Sequence, residues 1–185
     1  KAHATCYGLI AYQTAYLKAN YTVDYMTSVL SAFRDNAEKV AAAIAECRRL
    51  GIDVRTPDVH RSHLGFTVED GAIRFGLLAV KNVGEGAIES IIGAREEGGE
   101  FRSLTDFCTR VDLRLANRKV LESLAKVGAL NCFGHPAQIL LGLDDALAAG
   151  QAAQRDRISG QTSLFDIGGE DTAALERPLP ATPET

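Results

Sequence analysis

Outside the short stretch at residues 66–75, the patterned segments of this chain mostly repeat their apolar residues at helical spacing, which commits it to a mainly α fold with a minor β element. Residues 3–20 carry Tyr7, Ile10, Ala11, Thr14 and Leu17 on that period, and read alone they predict a buried helix. A second helix fits 23–33, where Asp24 in the first turn favours the helix dipole. A third runs from Asn36, an N-cap residue, through Val40, Ile44, Cys47 and Leu50 to its stop at Gly51. Further helices are expected at 85–97, 103–110, 117–127 and 136–149, with Ser103 and Asn117 as start signals. Phe66-Thr67-Val68 and Ile73-Arg74-Phe75 alternate at period two about a turn containing Asp70-Gly71, which predicts a β-hairpin. Ile52-Asp53-Val54-Arg55 alternates as well.

Charge is unevenly placed. Residues 159–185 hold Asp166, Glu170, Asp171, Glu176 and Glu184 against Arg177 alone, so the whole net charge of −4 sits there and residues 1–158 are neutral. Neutrality permits local basic faces and predicts only modest, salt-sensitive contact with a polyanion. Beyond about Arg157 the composition turns to Gly, Pro, Ser, Thr and acids, as in a flexible tail. The chain opens on Lys1 without Met or leader, which predicts a fragment of something larger, and its apolar runs are too short to span a bilayer. Cys6, Cys47, Cys108 and Cys132 lie far apart with no zinc spacing, so reduced cytosolic thiols are expected and no metal site. Asp53 and Asp58 flank Pro57, and His60 and His63 sit near Arg61, but no motif links them to a second catalytic element. A solvated loop is the expectation there, and no catalytic residue is assigned.

Three constellations carry chemistry. The first is Val80-Lys81-Asn82-Val83-Gly84-Glu85-Gly86, between a short apolar run and an amphipathic helix. A tight turn with Asn82 and Gly84 at positions that tolerate positive φ aims successive N–H groups outward at a helix start. That nest, with Lys81 and the helix dipole, suits a phosphate oxygen and reads no bases. The stretch resembles the helix-hairpin-helix motif, with Asn82 in place of the usual first glycine. The bland alternative is a helix-initiating loop. The second constellation places Lys1, His3 and Tyr7 on one helix face, a cation, an imidazole and an aromatic ring that together suit a nucleotide. The third is Gln161-Thr162-Ser163-Leu164-Phe165: Leu164 and Phe165 can fill an apolar pocket while Gln161 bonds at its rim, as in a short linear ligand.

A wider resemblance rests on Lys1-Ala2-His3-Ala4, Tyr12-Gln13-Thr14-Ala15-Tyr16-Leu17-Lys18-Ala19, Pro57-Asp58-Val59, Arg74-Phe75-Gly76 and the 80–85 hairpin. Phe101-Arg102-Ser103-Leu104-Thr105-Asp106-Phe107, Asn117-Arg118-Lys119-Val120-Leu121-Glu122-Ser123-Leu124 and Gly128-Ala129-Leu130 continue it in order over nearly all of residues 1–165. The chain thereby resembles the C-family bacterial replicases, the DNA polymerase III alpha subunits. The resemblance implies a helical end of the fingers domain at 1–51, a small β-hairpin with the helix-hairpin-helix region at 52–158, and an acidic tail with a sliding-clamp-binding motif at 159–185. It implies that Lys1, His3 and Tyr7 lie near nucleotide or template, that the hairpin holds primer-template duplex, and that Gln161, Leu164 and Phe165 dock the clamp (the beta subunit). The remainder of the polymerase is the other expected partner, and a membrane is not. The catalytic aspartates and magnesium belong to an upstream palm domain, so this chain alone is expected to hold no cofactor and to be no enzyme, while the parent is a DNA-directed DNA polymerase of the bacterial cytoplasm, associated with the nucleoid. Two alternatives stand beside it: a stand-alone nuclease or glycosylase on the same scaffold, and a helix-hairpin-helix interaction scaffold or repair module.

Overall fold

The computed structural model describes residues 2–159 and residue 179. The expected helices form as α1 (Ala2–Asn20), α2 (Thr22–Ala32), α3 (Ala37–Arg49), α4 (Glu85–Gly98), α5 (Leu104–Arg110), α6 (Arg118–Lys126) and α7 (Pro136–Ser159). Three of the starts use the side chains that the sequence offers. Asn36 accepts from the Lys39 N–H at 3.0 Å, Ser103 from the Asp106 N–H at 3.1 Å, and Asn117 from the Lys119 and Val120 N–H groups. Each such cap contributes about 1 kcal/mol. No described helix is long and apolar enough to cross a membrane.

The hairpin is present, and it has a third strand. Strands β2 (Thr67–Glu69) and β3 (Ala72–Arg74) pair antiparallel, and β1 (Val54–Arg55) adds in parallel to the other edge of β3. Asp70 and Gly71 both take positive φ, 52° and 75°, the two-residue turn whose twist suits a hairpin. A charged belt crosses the sheet. Glu69 of β2 accepts from Arg74 Nε at 2.7 Å and from Arg61 at 3.2 Å, and Arg55 of β1 lies 3.2 Å away. Arg74, only 9% exposed, also donates to the Thr56 carbonyl. Partial burial alone would raise the Glu69 pKa, but hydrogen bonds from Arg74, Arg61 and Arg55 outweigh it and hold the carboxyl at about 2.

Two apolar cores result. The smaller joins Met26 and Leu30 of α2, Val40, Ala43 and Cys47 of α3, and Ile52, Phe66 and Ile73 from the sheet region. The larger lies among α4, α5, α6 and α7, where Ile88, Ile91, Phe107, Leu121, Leu124 and Leu143 are fully buried. Burial of each such side chain contributes about 1.5–3 kcal/mol. Leu179 packs against the same core.

Two expectations need correction. Helix α7 continues ten residues past Ala149, because Gly150 marks a contact and not a stop: a Cβ there would lie 2.4 Å from the Cys108 carbonyl oxygen of α5. Gln154, one turn on, donates to the Cys108 and Val111 carbonyls and extends that contact. Helix α1 is not a buried helix. Tyr7, Leu9, Ile10, Tyr12 and Tyr16 are 51–68% exposed. Its apolar residues fall on all sides and not on one stripe, so docking on a single neighbour cannot cover them; Lys18 in the last turn pairs with Glu46 of α3.

The cores are joined at the turn that follows Pro57. The Val59 N–H donates to Ala129 O at 3.0 Å; buried Ser62 accepts from the Asp58 N–H and donates to Phe75 O. Arg95 of α4 donates through Nη1 to the carbonyls of Val59 and Ser62, at 3.0 and 2.7 Å. The segment expected as a solvated loop is therefore solvated only in part: Asp53, Arg61 and His63 are exposed, whereas Val59 and Ser62 are buried. Replacing Arg95 by Leu strands both carbonyls and is expected to cost about 2–3 kcal/mol in urea unfolding; a loss below about 0.5 kcal/mol would show that the turn holds without it. For Glu69→Gln, about 1–3 kcal/mol of destabilisation is expected at pH 7. Because the folded pKa is depressed, that stabilisation is present above about 4.5 and fades as pH falls towards 2. The two proteins should converge in stability near pH 2, and a gap independent of pH would contradict the assignment.

Candidate nucleic-acid interface

The hairpin forms where the sequence indicates it. A 3-10 turn at Leu77–Ala79 leads into it, and α4 follows. Val80 and Val83 are buried and anchor it in the larger core, with the Val83 N–H donating to Val80 O at 3.2 Å. Anchored on those two side chains, the turn leaves Lys81, Asn82, Gly84 and Glu85 exposed, while Gly86 is half-buried beside Leu115.

Asn82 has φ 68°, so the left-handed position where the motif usually carries glycine is occupied by the residue next most tolerant of it. Its amide Nδ2 donates to Ser123 Oγ at 3.1 Å, and Ser123 in turn donates to the Lys119 carbonyl. The turn is thus held to α6 from 41 residues away. This partner was not foreseen, since nothing local in the sequence connects Asn82 with Ser123.

Gly84 differs from the expectation. Its φ is −88°, a value open to any residue, and an added Cβ would meet no protein atom within 4 Å. Neither conformation nor internal packing requires glycine there. What glycine does is leave the outer surface flat beside the first N–H groups of α4. That helix start, like that of α2, lacks a side-chain cap, whereas α3, α5 and α6 have one. Its first main-chain N–H groups take no side-chain cap, the helix behind them is 14 residues long, and Lys81 is exposed three residues before the N-cap Gly84. The exposed Glu85 carboxylate opposes part of that charge. An anion that approaches closely and without regard to side-chain identity fits this surface.

A groove of about 740 Å³ lies between the same hairpin and the turn between α2 and α3, with Lys81 and Arg34 among its lining residues. Arg34 escaped notice in the sequence because no local pattern connects it to residues 80–86.

The other expected site residues are placed as follows. His3 and Tyr7 meet on α1 with ring centroids 4.4 Å apart, edge to face. Lys1, Gln161, Leu164 and Phe165 lie outside the described residues. The fold also brings Asp58, His60 and Cys132 together with their donor atoms within 4.8 Å. His60, however, stacks on Phe101 and accepts the Phe101 N–H through Nε2 at 3.1 Å. Its remaining proton then sits on Nδ1, which leaves a neutral imidazole no lone pair for an ion. The cluster is a structural corner.

Comparison with known proteins places this geometry. The helix-hairpin-helix motif family matches residues 51–140. DNA polymerase III subunit alpha of Vibrio cholerae is 39% identical over 186 residues, which is 100% of this chain and 16% of that protein. The same subunit of Deinococcus radiodurans is 43% identical over 97% of this chain and 13% of its own length, and that of Escherichia coli K12 is 41% identical over 96% and 15%. The chain therefore spans between 13% and 16% of these relatives. With a helix-hairpin-helix of the geometry described and such identity along its whole length, it belongs to the DNA polymerase III alpha-subunit family, of which it represents one segment.

Proposed function

We propose that this segment holds duplex DNA without sequence preference, as part of a polymerase that carries out template-directed synthesis. The observation that carries it is the α4 start: uncapped, faced by a glycine that the fold itself does not need, and flanked by an exposed lysine. Main-chain donors at a helix N-terminus bind a phosphate oxygen, and phosphate contacts position a duplex without reading it. The neutrality of residues 1–158 makes this one contact among several in a larger protein. Nucleotidyl transfer, with its magnesium, is assigned to parts of the polymerase outside these residues. His3 and Tyr7 on α1 are proposed to lie near nucleotide or template, together with Lys1, and the wide exposure of that helix is compatible with such a contact.

Clamp docking is proposed for Gln161, Leu164 and Phe165, on the strength of their pattern and their position after the helix-hairpin-helix region. Partner and cellular setting follow from the same proposal: primer-template DNA, the sliding clamp and the remainder of the polymerase, in the bacterial cytoplasm at the nucleoid.

For the hairpin, Lys81→Glu is expected to weaken duplex binding about fivefold at low salt and to lower the salt slope by about 1, with no change in sequence preference. Gly84→Val, which the backbone accommodates, should weaken it as well by blocking approach. Equal affinity of the two variants and the parent chain would remove this function from the hairpin. For the tail, changing Leu164 and Phe165 together to Ala should abolish binding to a bacterial sliding clamp in a pull-down or calorimetric titration. A double variant that still binds would exclude this segment as the docking site.

A further inference from the structure

The groove beside the hairpin is chemically unlike the phosphate surface it adjoins. Its walls are Val40, Ala41 and Ile44 of α3 on one side and Phe75 and Leu78 on the other, an apolar slot of about 740 Å³. Phe75 is half-buried, and its edge-to-face contact with Phe66 at 4.7 Å fixes the ring. Gly84, Lys81, Arg34 and Asp35 line it as well, and the Arg34 charge is partly offset by Asp35 at 3.8 Å.

We infer that this groove takes the sugar and base of an unpaired nucleotide whose own phosphate sits on the hairpin. The proposal deepens the phosphate-binding assignment and depends on it. Three features select this occupant. The slot is continuous with the nest at Gly84, so a strand bound through its backbone there passes the groove mouth. Its walls are mostly apolar and include an aromatic ring, which suits the flat face of any base, while the exposed Lys81 and Arg34 that also line it can meet the neighbouring phosphates of the same strand. The volume lies in the range of small-ligand pockets, and an unpaired base can enter where a paired one would first have to leave its stack. Stacking on apolar walls is tolerant of sequence, so the ligand class is single-stranded DNA next to a duplex, of any sequence.

The test uses the whole 185-residue chain and two DNA probes, a blunt duplex and the same duplex with a short single-stranded overhang that carries 2-aminopurine at its first unpaired position. The chain should prefer the overhang by about fivefold in anisotropy titrations, with a change in 2-aminopurine emission on binding. Ala41 is exposed on α3, so Ala41→Trp fills the slot from a tolerant position, and Ala41→Glu places a negative charge in it. Either should abolish the preference and the emission change while leaving blunt-duplex affinity and the melting temperature as they were. Equal affinity for both probes in the parent chain overturns the proposal; if Lys81→Glu still weakens both, the hairpin assignment survives that failure. Filled-groove variants that keep the full preference overturn it too. If Lys81→Glu changes neither affinity, the phosphate contact itself has failed and the groove proposal falls with it.

Discussion

Arg95 joins the two halves of this molecule. Its guanidinium leaves α4, enters the turn after Pro57 and holds two carbonyls there, those of Val59 and Ser62. Ser62 passes the constraint on to Phe75 at the end of β3, from which the chain runs through the 3-10 turn into the hairpin. The helix that follows the hairpin and the sheet that shares a core with α3 are therefore tied to each other through a partly buried cation. Groups of this kind are costly to leave unpaired, and that cost is what gives the junction a single geometry.

Much of the architecture was legible because its causes are local. Asn36, Ser103 and Asn117 cap helices within three residues of themselves, and Asp70-Gly71 makes its turn from its own backbone. The features that escaped are those whose partners lie far along the chain. The expected end of α7 at residue 149 gives way once Gly150 is seen against the Cys108 carbonyl, and β1 looks unpaired until β3 lies beside it. The turn at residues 58–62 reads as solvated because its polar residues give no hint that Phe101, Ala129 and Arg95 will surround it. Helix α1 failed for another reason. Its spacing announces a helix, but apolar residues on every side do not say which neighbour, if any, will cover them.

The candidate site divides in the same way. The hairpin itself was readable, since a left-handed residue before a helix start is a local requirement, and Asn82 meets it. The role of Gly84 was readable only in part: the residue was singled out for its conformational freedom, whereas the structure shows an ordinary backbone and an empty outer face. Ser123, Arg34 and Phe75 belong to the surroundings of the hairpin through tertiary folding alone.

The uncapped start of α4 has a consequence for how such a surface responds to change. Its donors are peptide groups, which every residue except proline supplies. Alanine replacements at Val83, Glu85 and Gly86 would leave all of those donors in place and would say little about the surface. Sensitivity should concentrate in positions that shape the turn or crowd it, Asn82 and Gly84 above all, and in Ser123, which touches the hairpin from another helix. A grip made of main chain is thus robust to drift at most of its own positions and vulnerable at a few that support it.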